Sequence, residues 1–225
     1  MLTGGAGGRA MTSAFEELFS IANAFHDIPM AGRTDAWILS DAAAAHGIPA
    51  DAADLARFPD VYVRHLSAEI AASEHRGTTP VRGGRYGVMP GVRALLDALI
   101  DRPDAYLALL TGNYETGAQL KLEHFDLWRY FRGGAFGDGA ADRNGLVPKA
   151  LARVAASGGP AFASSDAVVI GDTPLDVACA KAGDARLIAV ATGYHSVDEL
   201  RAAGADVVFE DLSDTGAVVR SIFRK

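Results

Sequence analysis

The chain has 225 residues, 49% hydrophobic and 22% charged, which is enough for one large domain or two small ones with a packed core and excludes a disordered or fibrous chain. With 21 Lys and Arg against 28 Asp and Glu, the net charge is −7 and the basic residues are scattered, which argues against a nucleic-acid or membrane-surface partner. One cysteine, Cys179, excludes a disulfide framework and a cysteine zinc cluster; with no apolar span and no signal-peptide pattern at Met1-Leu2-Thr3-Gly4-Gly5, the expected location is the cytoplasm.

The first part reads as helices without strands. Ala10, Ala14, Phe15, Leu18 and Ala22 recur at helical spacing between Gly8 and about Ala24. Thr34-Asp35 caps a second helix with Trp37, Ile38, Ala42 and Ala45 on its apolar side and Gly47 as its stop. A third helix from about Asp51 is expected to break near Pro59, and a fourth carries Val61, Leu66 and Ile70 before a turn-rich stretch, Gly77–Gly87.

The second part alternates. Pro90-Gly91 opens a helix through Leu99, and the run Ala105–Leu110 ends in Thr111-Gly112-Asn113. A helix to about Phe125, a short strand at Gly133–Phe136 and a helix over Lys149–Ala156 follow. The runs Ala167–Ile170, Leu187–Val190 and Val207–Phe209 are separated by helices to Lys181 and over Val197–Ala203. Apolar runs of this length without two-residue alternation are parallel strands buried on both faces. The expected fold is α/β: a doubly wound, Rossmann-like, mostly parallel sheet (residues 87–225) with a helical cap domain (residues 1–86).

In open parallel sheets, ligands bind at the carboxyl ends of the strands. Those ends supply Thr111-Gly112-Asn113, a loop with Asp142-Arg143, and Gly171-Asp172-Thr173-Pro174-Leu175-Asp176. Asp172 and Asp176 stand four apart, so both can face one point above the sheet, where a hard cation such as Mg²⁺ would relieve their repulsion. Capping of the following helix is the competing use of the same two carboxylates. Thr111 offers a hydroxyl, and Gly112 lets amides at the next helix start face an anion, although a plain strand-to-helix turn suits the tripeptide as well. Arg143 is the preferred cation for phosphate oxygens over Lys149, which is expected on a solvated helix face. Gly4-Gly5-Ala6-Gly7-Gly8 lacks the lysine of a phosphate loop, and the six histidines show no metal-ligand spacing.

This set resembles the haloacid dehalogenase superfamily, in the phosphoglycolate-phosphatase-like branch with a helical cap. Thr111-Gly112-Asn113 is similar to its second motif, Arg143 (or Lys149) to its third, and Gly171–Asp176 to its fourth. The resemblance implies an Mg²⁺-dependent phosphatase of small phosphorylated metabolites that works through an aspartyl-phosphate. Thr111, Arg143 and Asp172 would be catalytic, Thr111, Gly112, Asn113 and Arg143 would bind substrate, and Asp172 and Asp176 would hold the metal. The family's first motif, Asp-x-Asp-Gly-Thr, occurs nowhere in the sequence. The first central strand and the nucleophile are therefore expected to be missing, and the chain to be inactive as written. A non-catalytic phosphometabolite-binding protein is the alternative, followed by a phosphosugar mutase or haloacid dehalogenase of the same family. Arg33 and Trp37 are candidates for substrate contact from the cap.

Overall fold

The computed structural model describes residues 1–74, 86–140 and 142–224. Most of the expected turn-rich stretch 77–87 lies outside them. Helices α1 (Ala6–Phe19), α2 (Asp35–Ala45) and α3 (Ala53–Glu74) close around one apolar cluster. Phe15 is its centre, with no exposed surface, and the ring of Phe25 meets it edge-on at 5.4 Å. Thr34 caps α2 as its residue type dictates, its hydroxyl oxygen accepting from the Trp37 amide at 3.1 Å.

The expected break at Pro59 does not occur: α3 runs through it. An interior proline removes one helical hydrogen bond and costs about 3 kcal/mol. Phe58, Tyr62 and Leu66 are buried in the same cluster on either side of it, and that packing outweighs the local loss.

A short antiparallel pair, β1 (Leu2–Thr3) with β2 (Tyr86–Gly87), joins the start of α1 to the returning chain. From there the alternation is as the apolar runs dictate. The order is α4 (Val92–Ile100), β3 (Leu109–Leu110), α5 (Glu115–His124), β4 (Gly134–Ala135), α6 (Leu146–Ala156), β5 (Val168–Gly171), α7 (Pro174–Ala182), β6 (Arg186–Val190), α8 (Val197–Ala202) and β7 (Val208–Phe209). A last helix, α9 (Thr215–Ile222), was not among the expected elements. Gly91 sits at φ +77° directly against the Leu212 carbonyl, so α9 and its lead-in close onto the start of α4 only without a side chain there.

All the α/β pairings are parallel, and helices cover both faces. Val169 packs into the cluster of α6 and α7, while Val190 packs into that of α4 and α9. The parallel strands form two pieces, β3–β4 and β5–β6–β7. Between β3 and β5 runs a cleft of about 1030 Å³ lined by both.

Phe15→Ala is expected to destabilise the fold by about 4 kcal/mol, because a fully buried ring leaves a cavity that three crossing helices cannot fill. Urea unfolding followed by circular dichroism measures it.

Candidate active site at the strand ends

Thr111, Gly112 and Asn113 leave β3 and lead into α5. The Thr111 hydroxyl oxygen accepts from the Asn113 amide at 3.2 Å. A Cβ on Gly112 would come within 2.3 Å of the Arg33 carbonyl oxygen, so glycine is what lets the segment before α2 pass over the strand end. Asp35 then fastens that segment. Its amide donates to the Gly112 carbonyl at 2.7 Å, and its carboxylate accepts from the Tyr114 amide at 2.9 Å and from Asn113 Nδ2 at 3.3 Å. Asp138 accepts from the Glu115 amide at 3.0 Å. The amides that open α5, expected to face an anionic ligand, are thus met by two carboxylates of the protein itself.

Asp172 and Asp176 flank the start of α7, and their surroundings differ. Asp176 is 4% exposed. Its Oδ2 accepts from the amides of Asp172 and Thr173 at 3.1 and 3.0 Å and from the Thr173 hydroxyl at 2.8 Å, while Oδ1 is ion-paired with Arg143 Nη2. This is a capping box with a cation added. Burial and the charge of Asp176 push the Asp172 carboxyl up from the usual range, and the Met1 ammonium and Arg143 pull it back. Arg143 Nη1 donates to the Gly32 carbonyl at 3.2 Å, and its Nε is buried with no partner among the described residues.

Lys149 is not on a solvated face. Helix α6 begins at Leu146, three residues earlier than the apolar pattern indicated, and Lys149, next to the buried Ala150, reaches the end of β4. There its half-buried Nζ donates to the carbonyls of Phe136 and Asp138, both at 3.4 Å.

One segment, Gly32–Asp35, touches all three strand ends. Arg143 bonds the Gly32 carbonyl, a Cβ on Gly32 would lie 2.8 Å from the Thr173 hydroxyl, and the Thr34 hydroxyl donates to the Ala140 carbonyl at 2.6 Å. Arg33 and Trp37 are used within the helical unit, the guanidinium stacking 3.8 Å over the indole and pairing with Asp41. Among the described residues, no three His, Cys, Asp or Glu side chains converge as a metal site.

Lys121 escaped the sequence reading. It is 9% exposed and donates to Asn113 Oδ1 at 2.9 Å, so Asn113 joins Lys121 to Asp35. Burial pushes the Lys121 ammonium down and the Asp35 carboxyl up, and each charge opposes the shift of the other. The available signal was its position: Ala118, Lys121 and Leu122 share one buried face of α5.

A family model for haloacid dehalogenase-like hydrolases matches residues 11–181. The chain is 31% identical over 188 residues to a phosphoglycolate phosphatase of Rhodospirillum rubrum, covering 83% of this chain and 72% of that protein. Among solved structures, a hydrolase from Pseudomonas syringae superposes with a TM-score of 0.60 at 18% identity, covering 95% of this chain and 92% of the other. CbbY from Rhodobacter sphaeroides, in complex with phosphate, gives 0.61 at 18% identity over 94% and 89%. At these identities the structural likeness concerns the fold.

Asp35→Asn and Lys121→Met are each expected to cost about 3 kcal/mol, since each leaves a buried partner charge uncompensated. The double variant is expected to fall short of the sum by at least about 1 kcal/mol. A double-mutant cycle in urea measures the coupling.

Proposed function

The chain belongs to the haloacid dehalogenase-like hydrolases, and from that premise we propose that it acts on phosphate monoesters of small metabolites, with Mg²⁺, at the carboxyl ends of β3, β4 and β5. The observation that carries this reading is the buried, unpartnered Nε of Arg143 beside Asp172 and under the Gly32–Asp35 segment. A guanidinium edge left without an acceptor costs free energy until an anion meets it. Its relative, the Rhodospirillum rubrum phosphoglycolate phosphatase, supports the substrate class. Residues 1–86 would serve as the cap and 87–225 as the core.

The residues suit a hard cation. The Asp172 carboxylate takes only its own backbone amide as a donor among the described residues, whereas Asp176 is filled by Arg143, the Thr173 hydroxyl and two amides. Mg²⁺ is commonly held by one or two carboxylates and several waters. Asp172 would therefore be the direct ligand, with Asp176 beside it fixing the loop that presents Asp172. Bound there, the ion would offset the charge of the phosphate and polarise its oxygens.

The chain's own groups would do the rest. The Thr111 hydroxyl proton and the Gly112 amide have no acceptor among the described residues and would hold phosphoryl oxygens. Arg143 would give its Nε–H to a third oxygen, with Lys149 as the second cation. The Gly32–Asp35 segment would exclude water from the strand ends. Without Asp-x-Asp-Gly-Thr, no carboxylate of this sequence is assigned as nucleophile or acid–base, so these residues bind and orient the ester and do not by themselves cleave it.

Calorimetry is expected to show phosphoglycolate binding that requires Mg²⁺, with Asp172→Asn weakening Mg²⁺ affinity by at least about tenfold, in line with a lost ligand. Phosphate release from p-nitrophenyl phosphate is expected to stay at background. Failure of Mg²⁺ and the ester to bind would overturn the assignment, and release well above background would overturn the non-catalytic part alone.

A further inference from the structure

Lys121 is a buried cation for which the binding of the ester has so far given no role. Helices α1, α3 and α5 enclose it. A Cβ on Gly7 would stand 3.3 Å from its Nζ and 3.7 Å from the Tyr62 hydroxyl, and the Nζ lies 6.0 Å from the centre of the Tyr62 ring. Among the described residues it donates to Asn113 Oδ1 at 2.9 Å and not to Asp35, which it reaches through the other end of the same carboxamide: Asn113 Nδ2 donates to Asp35 Oδ1 at 3.3 Å. A lysine serving only as counter-ion to Asp35 would gain most by direct contact, because the attraction falls with distance. The carboxamide between them points to a second use.

That use is orientation. The Asn113 carbonyl oxygen takes from a buried cation and its amide gives to a buried anion, so the side chain has one orientation; turned over, it would set its NH₂ against the ammonium and its oxygen against the carboxylate. Fixing the side chain fixes the main chain that carries it. The Asn113 amide donates to the Thr111 hydroxyl oxygen at 3.2 Å, and the Asn113 carbonyl accepts from the Gly137 amide at 2.8 Å. A hydroxyl oxygen that accepts from an amide directs its own proton away from that donor.

We propose that Lys121 is a positioning residue for the phosphate: through the Asn113 carboxamide it holds the turn after β3 so that the Thr111 hydroxyl and the Gly112 amide face one phosphoryl group. The ammonium does not touch the ester. The inference rests on the phosphatase reading and extends it to a residue behind the turn. It also gives the Asn113 side chain to Lys121 and Asp35, so that its part in holding the ester passes through its backbone. Burial pushes the ammonium down and the charge of Asp35 opposes that shift, in keeping with a cation held for its hydrogen bond at some cost.

Calorimetry on the full chain with Mg²⁺ and phosphoglycolate tests this in Lys121→Met, Asn113→Ala and the double variant. Each single variant is expected to weaken ester affinity about tenfold and to leave Mg²⁺ affinity, measured without ester, within about twofold. A residue that serves stability alone would move neither constant of the folded protein. Because Lys121 acts through Asn113, the double variant is expected to bind as Asn113→Ala does, about tenfold and not about a hundredfold weaker. If Lys121→Met alone does not fold, it is read in the Asp35→Asn background, where no carboxylate is stranded, and the same loss of about tenfold against Asp35→Asn is expected. Unchanged ester affinity on loss of Lys121 would overturn the proposal, and additive losses in the double variant would overturn it in favour of direct attraction between the ammonium and the ester. A wild-type chain that binds no ester would overturn the phosphatase reading and this inference with it, an outcome visible before any variant is compared.

Discussion

The buried carboxylate of Asp35 is the constraint on which the arrangement of the molecule rests. It stands at the first residue of α2, yet its acceptor oxygens are spent on the start of α5, in the other part of the chain. A carboxylate taken so far from water is unfavourable by itself. Two amide donors, the N-terminal field of α5 and the ammonium of Lys121 offset that cost, and all of them belong to the α/β layers. The helical unit therefore meets its own electrostatic requirement only when docked. Gly112 and Gly32 make the docking sterically possible, one under the Arg33 carbonyl and the other against Thr173.

The same economy divides the two aspartates of α7. Asp176 is a structural acid, its four donors tying the loop after β5 to Arg143 and so to the helical unit through the Gly32 carbonyl. Asp172 takes no donor from another residue among the described ones, and the loop it belongs to is held by its neighbour. Cys179 adds to this hold from the next turn, its thiol donating to the Arg143 carbonyl.

Much of this was legible in the sequence because it depends on local chemistry. The five parallel strands coincide with the apolar runs, Thr34 and Thr173 cap where their types predict, and the strand-end residues lie where parallel-sheet topology puts them. The failures have non-local causes. Pro59 reads as a break, and only the contacts of Phe58, Tyr62 and Leu66 with α1 keep α3 whole. Helix α9 lies beyond the last apolar run and packs its own apolar face against α4. Lys121 was not singled out, since nothing nearby in sequence announces that Asp35, 86 positions earlier, is the charge it meets.

The docking contacts also bear on the order in which the chain can acquire its shape during synthesis. Those that hold the helical unit in place span 79, 106 and 111 residues, through Asp35 to Tyr114, Thr34 to Ala140 and Gly32 to Arg143. The unit around Phe15 leaves the ribosome before the parallel strands and can collapse early on local contacts, but its last carboxylate has no partner until α5 has emerged, and its neighbouring carbonyl none until the loop before α6 follows. For that interval the apolar side that Tyr114 and Leu120 later cover is open. Slow translation between residues 74 and 143 would prolong the exposure of that apolar side.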